Sequence, residues 1–267
     1  MSNTDISAYE RVKIARSNKR PTAIDYINNI TTDFLELHGD RKFADDGAVI
    51  GGIAMMNDMP ITIIGIEKGR STKERMQHSF GSPNPEGYRK SLRLMKQAEK
   101  FHRPVLCLVD TSGAFCGIGA EERGQGQAIA ENLMEMMTLK TPVISIIIGE
   151  GGSGGALALC VADRVWMLEN AIYSIISPEG CASILWKDAS KADSAAEHLK
   201  LTAQDSLGNG LIEKVISEVG IGEEPYYIDL KNQIFDEFTE LRKLDLDQLL
   251  QMRYMRFRRI GSYEDEI

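Results

Sequence analysis

Two short apolar runs joined by a helical segment limit the fold of this chain more than any other feature. The runs span residues 105–109 and 143–148, and a proline opens each of them, Pro104 and Pro142. Residues 121–139 between them carry apolar side chains at helical spacing. Continuous apolar runs of this length, separated by a helix, are typical of parallel strands that are buried on both faces. The sequence therefore predicts an α/β fold that contains a βαβ unit.

Further helices and strands are predicted on both sides of this unit. Apolar residues at helical spacing indicate a helix from Thr22, where Asp25 completes a capping pair, to Gly39. Two β-branched runs, 48–56 and 61–67, flank turn residues and predict a hairpin. The other predicted elements are a helix over 86–101, a short helix over 156–162, strands over 165–168, 172–176 and 211–216, helices from 178 to about 209, and a charged helical stretch over 226–259.

The length of the chain is compatible with one domain. It has 267 residues, and single α/β domains often exceed ~200 residues. We predict a polar tail or surface helix over residues 1–20 and a single domain over 21–267, with a C-terminal helical extension from about 225. Hydrophobic residues make up 43% of the chain and charged residues 26%, which is the composition of a soluble protein that buries a full core.

Charge and cysteine content exclude several classes of protein. The net charge of -8 argues against a general nucleic-acid surface, because phosphate binding relies on clustered cations, and no specific nucleic acid is predicted. The N-terminus lacks the apolar segment of a secretory signal, and no run approaches the ~18 apolar residues of a membrane helix. We therefore expect a cytoplasmic protein. The cysteines show no C-x-x-C spacing, which predicts free thiols and no metal site: Cys107, Cys116, Cys160 and Cys181.

A glycine-rich loop, Gly149–Gly155, follows the second apolar run and matches several patterns. The G-x-G-x-x-G spacing from Gly149 is a dinucleotide-binding fingerprint, and Glu169 lies where a ribose-binding acid belongs. The G-x-S-x-G spacing around Ser153 is that of a nucleophile elbow, but His198, the histidine that follows, falls in a helical run. A P-loop would need a following Gly-Lys-Ser/Thr, which this loop lacks.

We interpret this loop as a place where the backbone closely approaches a negatively charged ligand. Glycines leave backbone amides uncovered by side chains, and amides at the start of a helix bind anions. A second glycine-bearing loop, over 110–119, follows the first apolar run. Because ligands in open α/β sheets gather at the carboxyl ends of strands, we expect the two loops to form one pocket.

Five motifs in a single register carry a resemblance to a known family. They are GIEKGR at 65–70, PEGYRK at 85–90, GAEERGQ at 119–125, GEGGSGGA at 149–156 and ISPEGCASILW at 176–186. Together they resemble the alpha-subunit family of bacterial acetyl-CoA carboxylase carboxyltransferases, over about residues 20–217. The resemblance implies an α/β fold of the crotonase (ClpP/crotonase-like) type, in which ββα units wind into a superhelix, with helical extensions at both ends.

The resemblance also implies an activity and a set of partners. The reaction moves a carboxyl group from carboxybiotin, tethered to a biotin carboxyl carrier protein, to acetyl-CoA, which gives malonyl-CoA for fatty acid synthesis. Biotin is not attached to this chain. A homologous beta subunit with a zinc site of four cysteines is expected to complete an α2β2 assembly. Biotin carboxylase belongs to the larger, ATP-binding complex.

Site residues are implied on the motifs that match. The amides of Gly154 and Gly155 are expected to form the oxyanion hole for the ureido oxygen of biotin, while the beta subunit binds the thioester enolate. Lys68 and Arg70 follow a strand and are candidates for contacts with CoA phosphates, with a solvated strand end as the alternative. The expected biotin pocket comprises Gly113, Ala114, Phe115, Gly117, Ile118, Gly151, Gly152 and Ser153.

Two other functions stay open at the level of the residues. A stand-alone crotonase-fold enoyl-CoA hydratase or isomerase would need a positioned pair of glutamates. An NAD-dependent oxidoreductase would use the G-x-G-x-x-G spacing. Other charged residues have simple structural explanations: Glu121, Glu122 and Arg123 start a helix, and Arg89, Lys90, Arg93 and Lys96 are predicted to form an exposed helix face.

Overall fold

The computed structural model describes residues 6–261 and contains one eight-stranded sheet with helices on both faces. Residues 1–5 of the predicted tail and 262–267 of the predicted domain lie outside the described residues. The strands are β1 Thr32–Glu36, β2 Val49–Met56, β3 Met59–Ile66, β4 Val105–Thr111, β5 Val143–Gly152, β6 Arg164–Leu168, β7 Ile172–Ser174 and β8 Lys214–Ile216. The α-helices are α1 Ala8–Ala15, α2 Ala23–Ile30, α3 Thr72–Gln77, α4 Pro85–Lys100, α5 Ile118–Glu122, α6 Gln125–Met137, α7 Ser153–Leu157, α8 Pro178–Trp186, α9 Ala192–Leu199, α10 Ala203–Gly208, α11 Glu224–Leu241 and α12 Leu246–Arg259.

The sheet is antiparallel at one edge and parallel through its centre. Its strand order is β1-β2-β3-β4-β5-β6-β8, and every pair from β3 onward along this path is parallel. Strand β5 is long enough to pair with β6 over Ile144–Ile147 and with β7 over Glu150–Gly152. The predicted α/β fold with a βαβ unit is confirmed, because β4 and β5 are parallel neighbours.

Helices α2 and α4 cover opposite faces of the sheet. Gly51 is paired with Ile64, so these two residues share a face, and Gly65 points to the other one. A Cβ on Gly51 would lie 2.6 Å from Leu94 of α4, and a Cβ on Gly65 would lie 2.6 Å from Ala23 of α2. Glycine at both positions therefore allows each helix to pack directly on the strand backbone.

The predicted hairpin is confirmed as β2 and β3. Met56 pairs with Met59, so the connection is the two-residue turn Asn57 and Asp58. Asn57 has a φ of 53°, and tight hairpin turns need this left-handed conformation, which asparagine tolerates well. The turn residues and the apolar strands thus both favour the hairpin.

The helix predicted from Thr22 to Gly39 is wrong in its second half. Helix α2 ends at Ile30, and β1 follows, adding to the edge of the sheet with Thr32 opposite Met55. Phe34 and Leu37 still pack against the core, but from a strand and the segment after it. Strand pairing across the sheet overrides the local helical spacing, and the β-branched residues after Ile30 favour that outcome.

Several other predicted boundaries also differ. The helix predicted over 121–139 is two helices, α5 and α6, because Gly124 takes a φ of 82° between them. The short helix predicted over 156–162 is α7, which starts earlier at Ser153 and ends at Leu157. The last strand is β8, shorter than the predicted 211–216.

The exposed face predicted for α4 is also wrong at two residues. Lys90 is buried, and its ammonium donates to Asp45 Oδ1 at 2.6 Å and to the Asp46 carbonyl at 2.8 Å. The guanidinium of Arg89 is paired with Asp40 and Glu86. These cations are covered by the acidic segment that precedes β2, which lies far from α4 in the chain.

Arg253 attaches the C-terminal helix α12 to the sheet. Its side chain is 0% exposed and makes two hydrogen bonds with the carboxylate of Asp163, at 2.8 and 2.7 Å. It also donates to three backbone carbonyls, those of Met136, Leu139 and Thr141. One arginine therefore donates hydrogen bonds to carbonyls at the end of α6 and before β5, and to the carboxylate before β6.

Replacing this arginine tests how much α12 contributes to stability. Arg253→Met would leave the Asp163 carboxylate buried with only a backbone partner, so we expect the free energy of unfolding to fall by about 3–5 kcal/mol. Arg258→Met on the exposed side of the same helix is the control and should change it by less than about 0.5 kcal/mol. Urea unfolding followed by circular dichroism measures both. Equal values for the two variants would contradict the proposed attachment.

Candidate active site

The two glycine-bearing loops lie side by side at the carboxyl ends of β4 and β5, as predicted. Thr111 pairs with Gly151 where the two strands end. A Cβ on Gly152 would overlap the carbonyl of Ser112 in the neighbouring loop. The sequence brings them together because β4 and β5 are parallel neighbours, so both connections leave the same edge of the sheet.

Most glycines of the 149–155 loop are explained by this packing. A Cβ on Gly149 would overlap the carboxylate of Asp110, and one on Gly155 would lie 2.6 Å from the backbone nitrogen of Ala114. Gly154 differs, because the nearest atom to its Cβ position is Ile129 Cγ2 at 3.8 Å. Tight packing between loops therefore explains Gly149, Gly152 and Gly155, whereas the chain's own packing does not require glycine at 154.

Helix α7 begins inside this loop with a strained residue. Ser153 is exposed and has a φ of 49°, a conformation that costs a non-glycine residue roughly 1–3 kcal/mol. Ser153, Gly154 and Gly155 are the first three residues of the five-residue helix, so their amides have no acceptor within it. Gly154 is half-buried and Gly155 is buried, so the Gly154 amide is the more accessible of the predicted pair.

An apolar groove adjoins Gly154. Its volume is about 430 Å³, within the range of small-ligand pockets. Ser153 and Gly154 form one wall. The other lining residues are mainly apolar: Leu157, Tyr173, Ser174, Ile175, Leu199, Lys200, Asn209 and Leu211. Sequence reasoning missed this groove, because its lining comes from α7, β7, α9 and the segment before β8.

The residues predicted to line a biotin pocket are only partly brought together. Gly151, Gly152 and Ser153 share a cavity of about 50 Å³ with Ser112. Gly113 and Ala114 contact Gly155 from the facing loop. By contrast, the side chains of Phe115 and Ile118 are 42% and 81% exposed, and the ring of Phe115 lies beside Gly117. In this chain alone, these last three residues form an outer surface and not a pocket wall.

A buried ion cluster supports the glycine loop. The ammonium of Lys68 lies 2.6 Å from Asp110 Oδ1 and 3.0 Å from Glu150 Oε2. The guanidinium of Arg16 lies 2.9 Å from Glu150 Oε1 and 2.8 Å from Glu179 Oε1. Lys68 is therefore enclosed by carboxylates, and the structure does not place it where a CoA phosphate could pair with it.

Lys68 and Glu150 of this cluster keep their charges across the ordinary pH range. Burial alone would lower the pKa of Lys68, but Asp110 and Glu150 outweigh it and raise that pKa. Burial alone would raise the pKa of Glu150, but Lys68 and Arg16 outweigh it and lower that pKa. Glu150 is thus a fixed anion with both oxygens paired, which suits a structural role better than proton transfer.

Arg70, the other predicted phosphate ligand, lies outside this cluster. Its guanidinium is paired with Asp25 near the start of α2, and its side chain is 55% exposed. The contact with CoA phosphates stays a prediction for this residue. Asp110, Glu150 and Glu179 were not singled out from the sequence, although Asp110 carries a weak signal as the charge that ends an apolar run.

The nucleophile elbow has no support in the structure. His198 is exposed on α9, where its Nδ1 lies 2.7 Å from the Ser194 carbonyl and its ring packs against Trp186. Among residues 6–261, no group of three or more histidine, cysteine or acidic side chains could hold a metal ion. Over the same range, no helix combines the length and apolarity needed to cross a membrane.

Solved structures of carboxyltransferases share this fold. Transcarboxylase 12S superposes with a TM-score of 0.68 over 99% of this chain and 48% of its own, at 17% identity. The beta subunit of geranyl-CoA carboxylase from P. aeruginosa gives a TM-score of 0.66 over 91% of this chain and 46% of its own, at 15% identity. These likenesses confirm the predicted crotonase-type fold.

Sequence relatives identify the family. Residues 2–261 match the family described as acetyl co-enzyme A carboxylase carboxyltransferase-like. The acetyl-coenzyme A carboxylase carboxyl transferase subunit alpha of Ruminiclostridium cellulolyticum is 59% identical over 96% of this chain and 98% of its own length. That of Clostridium perfringens is 60% identical over 96% of both chains. The chain therefore belongs to the alpha-subunit family of acetyl-CoA carboxylase carboxyltransferases.

Proposed function

We propose that this chain transfers the carboxyl group of carboxybiotin, presented by a biotin carboxyl carrier protein, to acetyl-CoA, so that malonyl-CoA forms for fatty acid synthesis. Similarity to named alpha subunits along almost the whole chain is the observation that carries this proposal. The exposed start of α7 and the apolar groove beside Gly154 support it, because they fit a ligand with an anionic oxygen and an apolar body.

The backbone amides of Gly154 and Gly155 are proposed to bind the ureido oxygen. Biotin supplies the carboxyl group and, after losing it, the base that accepts a proton from acetyl-CoA. Gly154 lines the groove, while the facing Gly113 and Ala114 confine the space behind Gly155. A single oxyanion-hole donor is typically worth about 3–4 kcal/mol of transition-state stabilisation. The chain thus contributes fixed backbone dipoles and a binding pocket of defined shape.

A second subunit is proposed to complete the site. The curated relatives are named as alpha subunits, and a Clostridium tetani protein named as subunits beta/alpha is 51% identical over 98% of this chain, which spans 46% of that longer chain. We propose a beta partner that holds zinc, an α2β2 assembly, biotin carboxylase in the larger complex and a cytoplasmic location. Phe115 and Ile118 then face this partner or the bound biotin, which accounts for their exposure.

The two alternative functions have little physical support. A hydratase needs a positioned pair of glutamates, yet Glu150 is locked between Lys68 and Arg16, and Glu121 and Glu122 are exposed on α5. A dinucleotide site needs a long helix to receive the pyrophosphate, whereas α7 has five residues.

Copurification tests the proposed function directly. We expect the chain, coexpressed with the beta subunit encoded in the same organism, to purify as a zinc-containing complex that decarboxylates malonyl-CoA only when free biotin is present. Zinc is measured by elemental analysis and decarboxylation by loss of malonyl-CoA. A single-chain particle that hydrates enoyl-CoA, or one that binds NADH tightly, would refute the proposal.

Substitution at Gly154 tests the proposed ligand site without disturbing the packing between the loops. Gly155→Val is a poor test, because its side chain would collide with Ala114 and disturb the fold. Gly154→Ala has room in the chain, since no atom lies nearer than 3.8 Å, but places a methyl group where the ureido oxygen is proposed to approach. We expect biotin-dependent decarboxylation to fall at least about tenfold, with assembly and melting temperature unchanged.

Gly126→Ala is the matched control for this substitution. Nothing lies within 4 Å of the Cβ position of Gly126, which sits in α6, so this variant should assemble with normal turnover. Turnover of Gly154→Ala equal to that of Gly126→Ala would remove Gly154 from the proposed oxyanion hole.

Neutralising Glu150 tests the ion cluster. Glu150→Gln leaves Lys68 and Arg16 short of one buried anion, so we expect a loss of about 3–5 kcal/mol in the free energy of unfolding and slower decarboxylation. The control Glu135→Gln removes a half-exposed pair with Lys96 and should cost less than about 1 kcal/mol.

The pH dependence of stability gives a second measure of the same residue. The pKa of Glu150 is lowered in the folded chain, so its stabilising contribution is complete above the unfolded pKa of roughly 4.3 and declines as pH falls toward the folded pKa. Glu150→Gln should therefore lose less stability than the wild type between about pH 5 and 3. Parallel acid-unfolding curves for the two proteins would contradict this role.

A further inference from the structure

A buried hydroxyl lies directly behind the proposed oxyanion hole. Tyr88 on α4 is 0% exposed, and within residues 6–261 its Oη has no hydrogen-bond partner. Leaving a buried donor unpaired destabilises the folded chain, and a phenylalanine would fill the same space without that penalty. An unpaired group of this kind calls for a physical explanation.

The position of this hydroxyl connects it to both loops of the site. The Cβ position of Gly155 lies 2.9 Å from Tyr88 Oη and 2.6 Å from the backbone nitrogen of Ala114. Tyr88 packs in a small cluster with Ala128 and Ala158, on α6 and after α7, and with Ala114. Its hydroxyl therefore sits at the junction of Gly155 with the peptide that joins Gly113 and Ala114.

The neighbouring peptide offers an acceptor for this hydroxyl. The Gly113 carbonyl accepts one hydrogen bond, from Thr111 Oγ1 at 2.9 Å, and a carbonyl oxygen can accept a second. Its carbon is 3.0 Å from the same Cβ position of Gly155. Gly113 has a φ of 150°, a conformation that favours glycine, and nothing lies within 4 Å of its Cβ position.

The protonation state of Tyr88 suits a donor. Burial, and then the charge of Asp46, raise the pKa of its hydroxyl well above the ordinary value for tyrosine. The hydroxyl therefore keeps its proton at neutral pH, so it can donate to a carbonyl.

We propose that Tyr88 is a positioning residue of the carboxyltransferase site. When biotin occupies the site, the Tyr88 hydroxyl donates to the Gly113 carbonyl and fixes the Gly113–Ala114 peptide where it packs against Gly155. The bond that is missing in the free chain forms in the loaded site, so its energy favours this arrangement of the 112–117 loop. This proposal rests on the proposed function, because it takes biotin as the ligand that brings the two groups together.

Removal of one oxygen atom tests the proposal in the assembled enzyme. Tyr88→Phe should lower kcat for biotin-dependent malonyl-CoA decarboxylation by about tenfold, leave KM for malonyl-CoA within about twofold, and leave the melting temperature equal or higher. The control is Tyr226→Phe, which removes the hydroxyl of another buried tyrosine, on α11, where the ring packs beside Tyr26 on the opposite face of the sheet. Its kcat should match the wild type.

Hydrogen exchange supplies a readout that does not depend on turnover. Saturating free biotin should slow the exchange of amides over 112–117 in the wild type and in Tyr226→Phe, and should have little effect in Tyr88→Phe. Normal kcat and normal protection of this loop in Tyr88→Phe would overturn the proposal. A lower melting temperature with normal kcat would also overturn it, since the hydroxyl would then be paired in the free enzyme.

The outcomes distinguish this proposal from the function on which it rests. A wild-type complex without biotin-dependent turnover and without biotin-dependent protection refutes the proposed function. A wild type that shows both effects, with Tyr88→Phe that retains them, refutes the role of Tyr88 alone.

Discussion

The carboxylate of Asp110 is the contact on which the arrangement of the site depends. Its Oδ1 accepts from the ammonium of Lys68 at 2.6 Å and from the backbone nitrogen of Glu150 at 2.7 Å. It therefore ties the segment after β3 and the end of β4 to the end of β5. Gly149 has to be glycine because the same carboxylate occupies the space of its Cβ. Since the loop and α7 continue from this point, their position relative to the 112–117 loop follows from one buried acid and its partners.

The glycines of the 149–155 loop divide into two groups with different physical reasons. Gly149, Gly151, Gly152 and Gly155 allow neighbouring segments to touch. A side chain at these positions would crowd Asp110, Tyr173, Ser112 and Ala114, respectively. Gly154 is not crowded by the chain, and it follows Ser153, whose left-handed backbone turns β5 into α7. The packing glycines hold the loop rigidly, so that the strain at Ser153 is tolerated and the first amides of α7 stay uncovered.

Local patterns predicted the parts of the fold that local chemistry determines. The β2–β3 hairpin and the central strands β4 and β5 follow from turn residues and continuous apolar runs, and the two loops then had to be neighbours. Strand β1 was missed because its pairing with β2 outweighs a helical spacing. The ion cluster was missed because Arg16 and Glu150 are separated by 134 positions, and no periodicity relates them. The same reason applies to Lys90, which was predicted to be exposed because its partner Asp45 is distant in the sequence.

Fixed charges and fixed dipoles limit what this chain can do chemically. Glu150 and Lys68 neutralise each other below the loop, and their shifted pKa values keep both ionised, so neither exchanges protons with a substrate. The groove is lined by the start of α7, by mainly apolar side chains and by the polar side chains of Ser174, Lys200 and Asn209. This lining can stabilise an anion that another molecule generates, but it offers no carboxylate or imidazole to remove a proton from a methyl group. In the proposed reaction the base therefore arrives with the ligand, biotin. The oxyanion of the second substrate is then bound by donors on the proposed second subunit.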